Sequence, residues 1–337
     1  MFQIISRCCL SLASTFFRLT TISALVALLA SPAFAWTVKS RELVDIEIAA
    51  NGSLMILVSS PGTAAPGLYE WKSGAAGPVK TCVIDSPASF SFNRRMVIER
   101  VGGEYDSLRL YDATNCVQRG QISTGGRVQD ADARADFVAV AVRNANEERT
   151  LELFTLRGSK AKRLATTDIG RNVELGFAPD GKTLLNFDLS DTAYATWRLP
   201  SLRIIEPSPW INRDELAFVP GVPFVKRYAD GVLSIMHWNS GKPKYMTRTA
   251  RTLRVRQLSR DGRYGVTHER VAEGDLIEWF DFATGIRARL GVGSIDHAAI
   301  SANGDRVAWT ERGGLAGDEV TIMRARIDAT GKIRSEP

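Results

Sequence analysis

An all-β fold made of repeated four-stranded units is predicted by three features of this chain. The first is a turn phrase that returns near every forty-second residue. Ile48-Ala49-Ala50-Asn51-Gly52 recurs as Phe177-Ala178-Pro179-Asp180-Gly181, Leu258-Ser259-Arg260-Asp261-Gly262 and Ile300-Ser301-Ala302-Asn303-Gly304. The second is a set of short runs rich in β-branched and aromatic residues, such as Phe137-Val138-Ala139-Val140 and Leu276-Ile277-Glu278-Trp279-Phe280. They have strand length and no helical periodicity. The third is a second turn signal roughly twenty residues after the first in most copies, as in Trp71-Lys72-Ser73-Gly74 and Phe282-Ala283-Thr284-Gly285.

Aligned on the turn glycine, the copies fall at Gly52, Arg94, Ala135, Gly181, Gly221, Gly262 and Gly304, a mean step of 42 residues. The second and third copies lack the glycine, and Asn93 is the residue expected to take the left-handed conformation in the second. The fourth is weakest at its second turn, where Pro200-Ser201 stands. Each copy therefore reads as strand A, tight turn, strand B, variable loop, strand C, tight turn, strand D. Seven antiparallel four-stranded units of this length predict a seven-bladed β-propeller. Trp36 to Ser40 is expected to supply the outer strand of the last blade and so shield an open edge.

Residues 1–35 stand apart from this pattern. They hold Arg7, Arg18 and no acid, then the apolar run Ile22 to Ala30, then Ser31-Pro32-Ala33-Phe34-Ala35. That order predicts a signal peptide cut before Trp36, leaving a single domain over 36–337 that is periplasmic or secreted and not membrane-spanning. The apolar run is shorter than the ~20 residues a spanning helix needs. Without residues 1–35 the net charge is +4, too mild to point to nucleic acid. Cys82 and Cys116 remain, and in an oxidising compartment they are expected to bridge. The loop so closed is worth ~3–4 kcal/mol in the chain-entropy model.

The turn phrases also carry a family resemblance. Phe177-Ala178-Pro179-Asp180-Gly181-Lys182 and Leu258-Ser259-Arg260-Asp261-Gly262-Arg263 resemble the Ser-Pro-Asp-Gly-Lys/Arg turn of the WD-repeat-like and TolB-type propellers. Asp281-Phe282-Ala283-Thr284-Gly285 is similar to their Asp-x-x-Thr-Gly hairpin. The resemblance spans most of residues 40–334 and implies the propeller fold. Because it rests on turn residues it implies no single activity, for such propellers include scaffolds, carrier-complex subunits and enzymes.

No Gly-x-Ser-x-Gly, His-Glu-x-x-His or Cys-x-x-Cys-His motif is present. The hairpin at Asp281 is followed by Ile286-Arg287-Ala288-Arg289 and not by the tryptophan that docks a quinone cofactor, so no cofactor is expected. Of the three histidines, His237 reads as structural and His268 as a residue where strand B enters a loop. Seven residues before each turn position, at the start of strand A, stand Asp45, Pro87, Val128, Glu174, Asp214, Val255 and His297. Asp45, Glu174, Asp214 and His297 are candidates for a calcium site, since hard cations take oxygen ligands. The alternative is a set of solvated charges capping a narrow channel. Arg254 and Arg256, in an inner strand, are candidates for binding an anion in the channel or for pairing with Glu174 and Asp214.

Charge also segregates by face. The B–C loops hold thirteen acids, among them Glu147, Glu148 and Asp191, against four arginines. The A–B and C–D turns are basic, with Arg94, Arg95, Lys160, Lys162 and Arg163. A disk polarised in this way orients its partners. Two functions are therefore expected in order: a non-catalytic interaction module docking a cell-envelope protein on a charged face, and, as the alternative, a metal-assisted lactonase or hydrolase using carboxylates at the channel mouth.

Overall fold

A computed structural model describes residues 35–335 apart from 60–63, 159, 170–172, 179, 189–194, 206–215, 220, 250–252, 273, 294 and 314–317. Residues 1–34, most of the expected leader, lie outside the described residues. Among the described residues there are 29 strands and no helix.

The strands form seven antiparallel sheets in chain order. After β1 (Trp36–Lys39), blade 1 is β2–β5 (Leu43–Ile48, Leu54–Val58, Gly67–Trp71, Val79–Val83). Blade 2 is β6–β9 (Ala88–Phe90, Met96–Val101, Ser107–Asp112, Gln118–Ser123), and blade 3 is β10–β13 (Arg127–Arg134, Phe137–Arg143, Arg149–Arg157, Lys160–Asp168). Blade 4 is β14–β17 (Val173–Phe177, Thr183–Asp188, Ala195–Arg198, Arg203–Ile205), and blade 5 is β18–β21 (Leu216–Phe218, Phe224–Ala229, Val232–His237, Pro243–Arg248). Blade 6 is β22–β25 (Arg254–Leu258, Tyr264–Val271, Gly274–Asp281, Arg287–Val292). Blade 7 joins β26–β28 (Ala298–Ile300, Arg306–Gly313, Glu319–Ile327) to β1 and to β29 (Ile333–Ser335). This is the seven-bladed propeller that the repeat predicts.

The recurring phrase has a local cause. Its Asn or Asp accepts the backbone N–H two residues on: Asn51 from Ser53, Asn93 from Arg95, Asp180 from Lys182 and Asp261 from Arg263, at 2.8–3.0 Å. In three blades the preceding serine adds a second tie, as Ser91, Ser259 and Ser301 accept the N–H five residues on. The next residue must then be left-handed, and all seven turn positions are, with φ between 50° and 81°. Glycine is the residue of least cost there, yet Arg94 (φ 61°) and Ala135 (φ 50°) take the same conformation. The left-handed residue of the second copy is thus Arg94 and not Asn93, whose side chain instead closes the turn.

The core is not one mass but a series of apolar layers between neighbouring blades. Ile46, Ile56 and Trp71 of blade 1 pack with Ala308 and Ile322 of blade 7, and Ile98 and Leu110 of blade 2 with Val138 and Val140 of blade 3. Ring closure uses both ends of the domain. β1 pairs residues 319–322 of β28, as Trp36–Ser40 was expected to do, while β29 pairs residues 325–327 of the same edge. The outermost position of blade 7 is therefore one strand in two pieces. On the neighbouring surface Arg324 lies 4.2 Å over the Trp71 ring and donates to the carbonyls of Trp71 (3.2 Å) and Lys72 (3.0 Å), clasping blade 7 to blade 1.

Candidate functional site

Strand A leads each blade, and the first strands of blades 1 and 2, 3 and 4, 6 and 7, and 7 and 1 contact one another around the ring axis. Several carry charge inward. In blade 3, Asp132 accepts N–H groups from Phe92 of blade 2 (2.7 Å) and Phe177 of blade 4 (2.6 Å), and Asp130 accepts from Leu175 (2.7 Å). Burial pushes Asp132 up to about 7 and Asp130 up to about 6, against the pull of these donors. They are staples between blades.

In blade 1, Asp45 and Glu47 meet the guanidinium of Arg94. Arg94 ion-pairs with Asp45, and its Nε lies 3.9 Å from Glu47. Burial raises the Glu47 carboxyl to about 8 and lowers Arg94 to about 10. The His297 Nδ1 lies 3.3 Å from Asp45, and burial lowers its pKa. The structure thus joins two of the four sequence-derived metal candidates, Asp45 and His297. Arg94 already neutralises Asp45. Glu174 is exposed on blade 4, and Asp214 lies outside the described residues. Among the described residues, no three His, Cys, Asp or Glu side chains form a metal-binding group.

In blade 6, next to His297, Arg254 and Arg256 are both exposed, while Val255 between them is buried. The register of β22 on β23 shifts between Val255 and Gln257, so Arg256 is the extra residue of a β-bulge, a device that re-aims side chains. Its Nε donates to His268 Nδ1 (3.0 Å) and its Nη2 to the Ile295 carbonyl (3.2 Å). His268 sits inside β23, not at a loop entry, and burial with the Arg256 charge holds it down to about 4. Blade 5 adds two groups that the sequence reading missed. Lys226 Nζ donates to the Val255 carbonyl (2.6 Å), and Tyr228 Oη accepts the Val255 N–H (3.0 Å). Burial, then Arg256 and Arg254, lowers Lys226 to about 8.

The opposite mouth, where the A–B turns lie, is hollowed. Two adjoining cavities of about 1000 Å³ and 720 Å³ share walls at Asn93, Arg95, Gly221 and Arg260. Arg95 and Arg260 are exposed there, and among the described residues neither guanidinium has a partner. Arg119, in the same wall, is tied to Asp112 at 2.6 Å.

Of the remaining sequence-derived partner residues, Lys160, Lys162 and Arg163 are not in a turn. They begin the outer strand of blade 3, and Arg163 pairs with Glu152 at 3.0 Å. Glu147 (φ 67°) pairs with Arg143 in the B–C loop of that blade, and Glu148 accepts Asn144 Nδ2 at 2.8 Å. Asp191 lies outside the described residues. Cys82, in the outer strand of blade 1, is bonded to Cys116 in the C–D turn of blade 2, as the pairing predicted.

No protein-family profile matches the sequence, and no curated protein matches it. Solved structures share its fold. A chain in the "Crystal Structure of Mitotic Checkpoint Complex" is 9% identical with a TM-score of 0.52, covering 85% of this chain and 92% of its own. The Myceliophteria thermophila Cps50 (Swd1) β-propeller domain is 11% identical with a TM-score of 0.53, covering 85% and 97%. At these identities the likeness is one of fold.

Proposed function

We propose that this chain is an exported, non-catalytic propeller that binds an acidic segment of a cell-envelope protein in its A–B mouth. The observation that carries this reading is the pair of guanidinia, Arg95 and Arg260, that have no partner among the described residues and stand on the shared walls of two joined hollows. Arginine presents a fixed fork of donors that suits carboxylates. Here the forks stand on turns of a rigid ring, where binding residues usually sit. Arg94, tied to Asp45 and Glu47, belongs to the throat of that mouth and not to its rim. A fold of the same kind occurs within a multiprotein assembly, the mitotic checkpoint complex, which supports a protein partner. The leader-like residues 1–35 and the Cys82–Cys116 bond support an oxidising compartment.

The test is fluorescence anisotropy of a labelled Asp/Glu-rich peptide. The double variant Arg95→Glu/Arg260→Glu is expected to weaken binding more than about tenfold, mostly through the on-rate, with the difference shrinking at high salt. Glu147→Lys/Glu148→Lys, on the other face, serves as the control. Equal binding by wild type and the rim variant would end this reading. Metal-dependent hydrolysis of a lactone or ester would replace it with the enzymatic one.

A further inference from the structure

The A-strand end of the channel carries a second feature that protein docking at the A–B mouth does not use. Lys226, Arg254 and Arg256 gather three positive charges around one residue, Val255. Blade 5 holds that residue from both sides, Lys226 at its carbonyl and Tyr228 at its amide. The charges are close enough that Arg254 and Arg256 both depress Lys226, and Arg254 depresses Arg256. Like charges gathered this closely repel, and a fold retains them at a cost unless something neutralises them.

Among the described residues, neutralisation does not come from the nearby carboxylates. The two that act on Arg256 are Asp275 and Asp296. Asp296 is engaged by Arg312 at 2.8 Å, and Asp275 lies 3.7 Å from Arg270. Among the described residues, none of the three cations is in an ion pair with a carboxylate. Their donors are also largely unspent. Among the described residues Arg254 makes no side-chain hydrogen bond, which leaves its five N–H groups to give. Arg256 has used Nε and one Nη2 proton, and those two bonds fix the plane in which its Nη1 is presented. Lys226 has used one of three protons, and Tyr228 Oη accepts from Val255 and so keeps its own proton to give. Arg254 and Arg256 lie two apart on β22, so strand alternation sets both on the face opposite the buried Val255.

We propose that Lys226, Tyr228, Arg254 and Arg256 form a binding site for a small oxyanion with two or more acceptor oxygens, at the channel end opposite the A–B mouth. Two ligand sources share that chemistry, a dicarboxylate and a phosphate group, and Arg forks accept both.

The experiment is titration of purified protein with succinate and, separately, inorganic phosphate, read by calorimetry and by thermal shift, with ionic strength held constant by sodium chloride. Saturable binding of at least one oxyanion, with a rise in Tm absent in chloride alone, is the expected result. The arm that binds more tightly names the source. Arg254→Gln is the variant of choice because the Arg254 side chain bonds to no other group among the described residues. Losing one charged fork should weaken the oxyanion about tenfold. Without the anion, the same variant should melt at or above the wild-type temperature, since a like charge has been removed. Arg95→Glu/Arg260→Glu should bind the oxyanion as the wild type does, which separates this site from the protein-docking one. Absence of saturable binding by either oxyanion, or equal affinity in Arg254→Gln, overturns the proposal.

Discussion

Replacing Asp132 with alanine removes one carboxylate that three consecutive blades share. The side chain is 1% exposed and accepts the N–H groups of Phe92 and Phe177 at 2.7 and 2.6 Å, besides that of Ala133 at 2.8 Å. Phe177 is itself buried, so water does not replace the lost acceptor there. Each stranded inter-blade donor costs about 1–3 kcal/mol, which places Asp132→Ala at about 2–6 kcal/mol of lost stability. Asp130→Ala strands the N–H of Leu175 and releases a long, partly exposed contact with Arg100 at 3.5 Å, which solvent replaces, so it should lose about half as much. Asp132→Asn keeps one acceptor and turns the other into a donor facing a donor, so it should fall between the two. Urea unfolding followed by tryptophan fluorescence reads the series as shifts in midpoint at constant slope. A loss below about 1 kcal/mol for Asp132→Ala, or one no larger than for Asp130→Ala, would refute the staple argument.

Two further outcomes follow from the turns and from the buried imidazole. Ala135→Gly should stabilise the protein by about 1 kcal/mol, because Ala135 holds φ 50° without the freedom of glycine; a lower urea midpoint in the variant would contradict this. His268 is held down to about 4 by burial and by Arg256. Between its ordinary value of 6.5 and 4 the unfolded chain takes up a proton that the native ring refuses, so stability should fall as pH falls through this window, by up to about 3 kcal/mol. His268→Gln should flatten that part of the pH profile, and parallel profiles for the two proteins would contradict the assignment.

The blade count and the turn positions were legible because both are written in local chemistry. An Asn or Asp that closes its own turn leaves the same residues wherever the turn recurs. Spacing alone located the turns at Arg94 and Ala135 after the glycine was gone. The inner wall was harder to read. A ring of candidate ligands taken seven residues before each turn assumes that every strand A runs in the same register. In fact Val128 and Val255 are buried in the inter-blade core, and the register of both strands shifts just after them, at Gln129 and at Arg256. Lys226 was invisible because its neighbour, Val255, is 29 residues away on the next blade. The basic run Lys160 to Arg163 was placed in a turn because Gly158 precedes it; the outer strand begins only two residues after that glycine. Charge named the right residue types and could not say which were already paired.

The two-piece outer strand of blade 7 has a mechanical consequence. β29 ends opposite Ala325 and β1 begins opposite Ile322, so Ser335 and Trp36 face each other across a gap a few residues wide on the outer edge of blade 7. A tension applied at Trp36 and Ser335 would load the first hydrogen bonds of β1 and the last of β29 one after another, peeling them, and would not shear a whole ladder at once. The ring would then open at blade 7 with blades 2 to 6 still stacked. A rigid linker from Ser335 to Trp36 would convert that latch into continuous strand and move the weak point elsewhere in the ring.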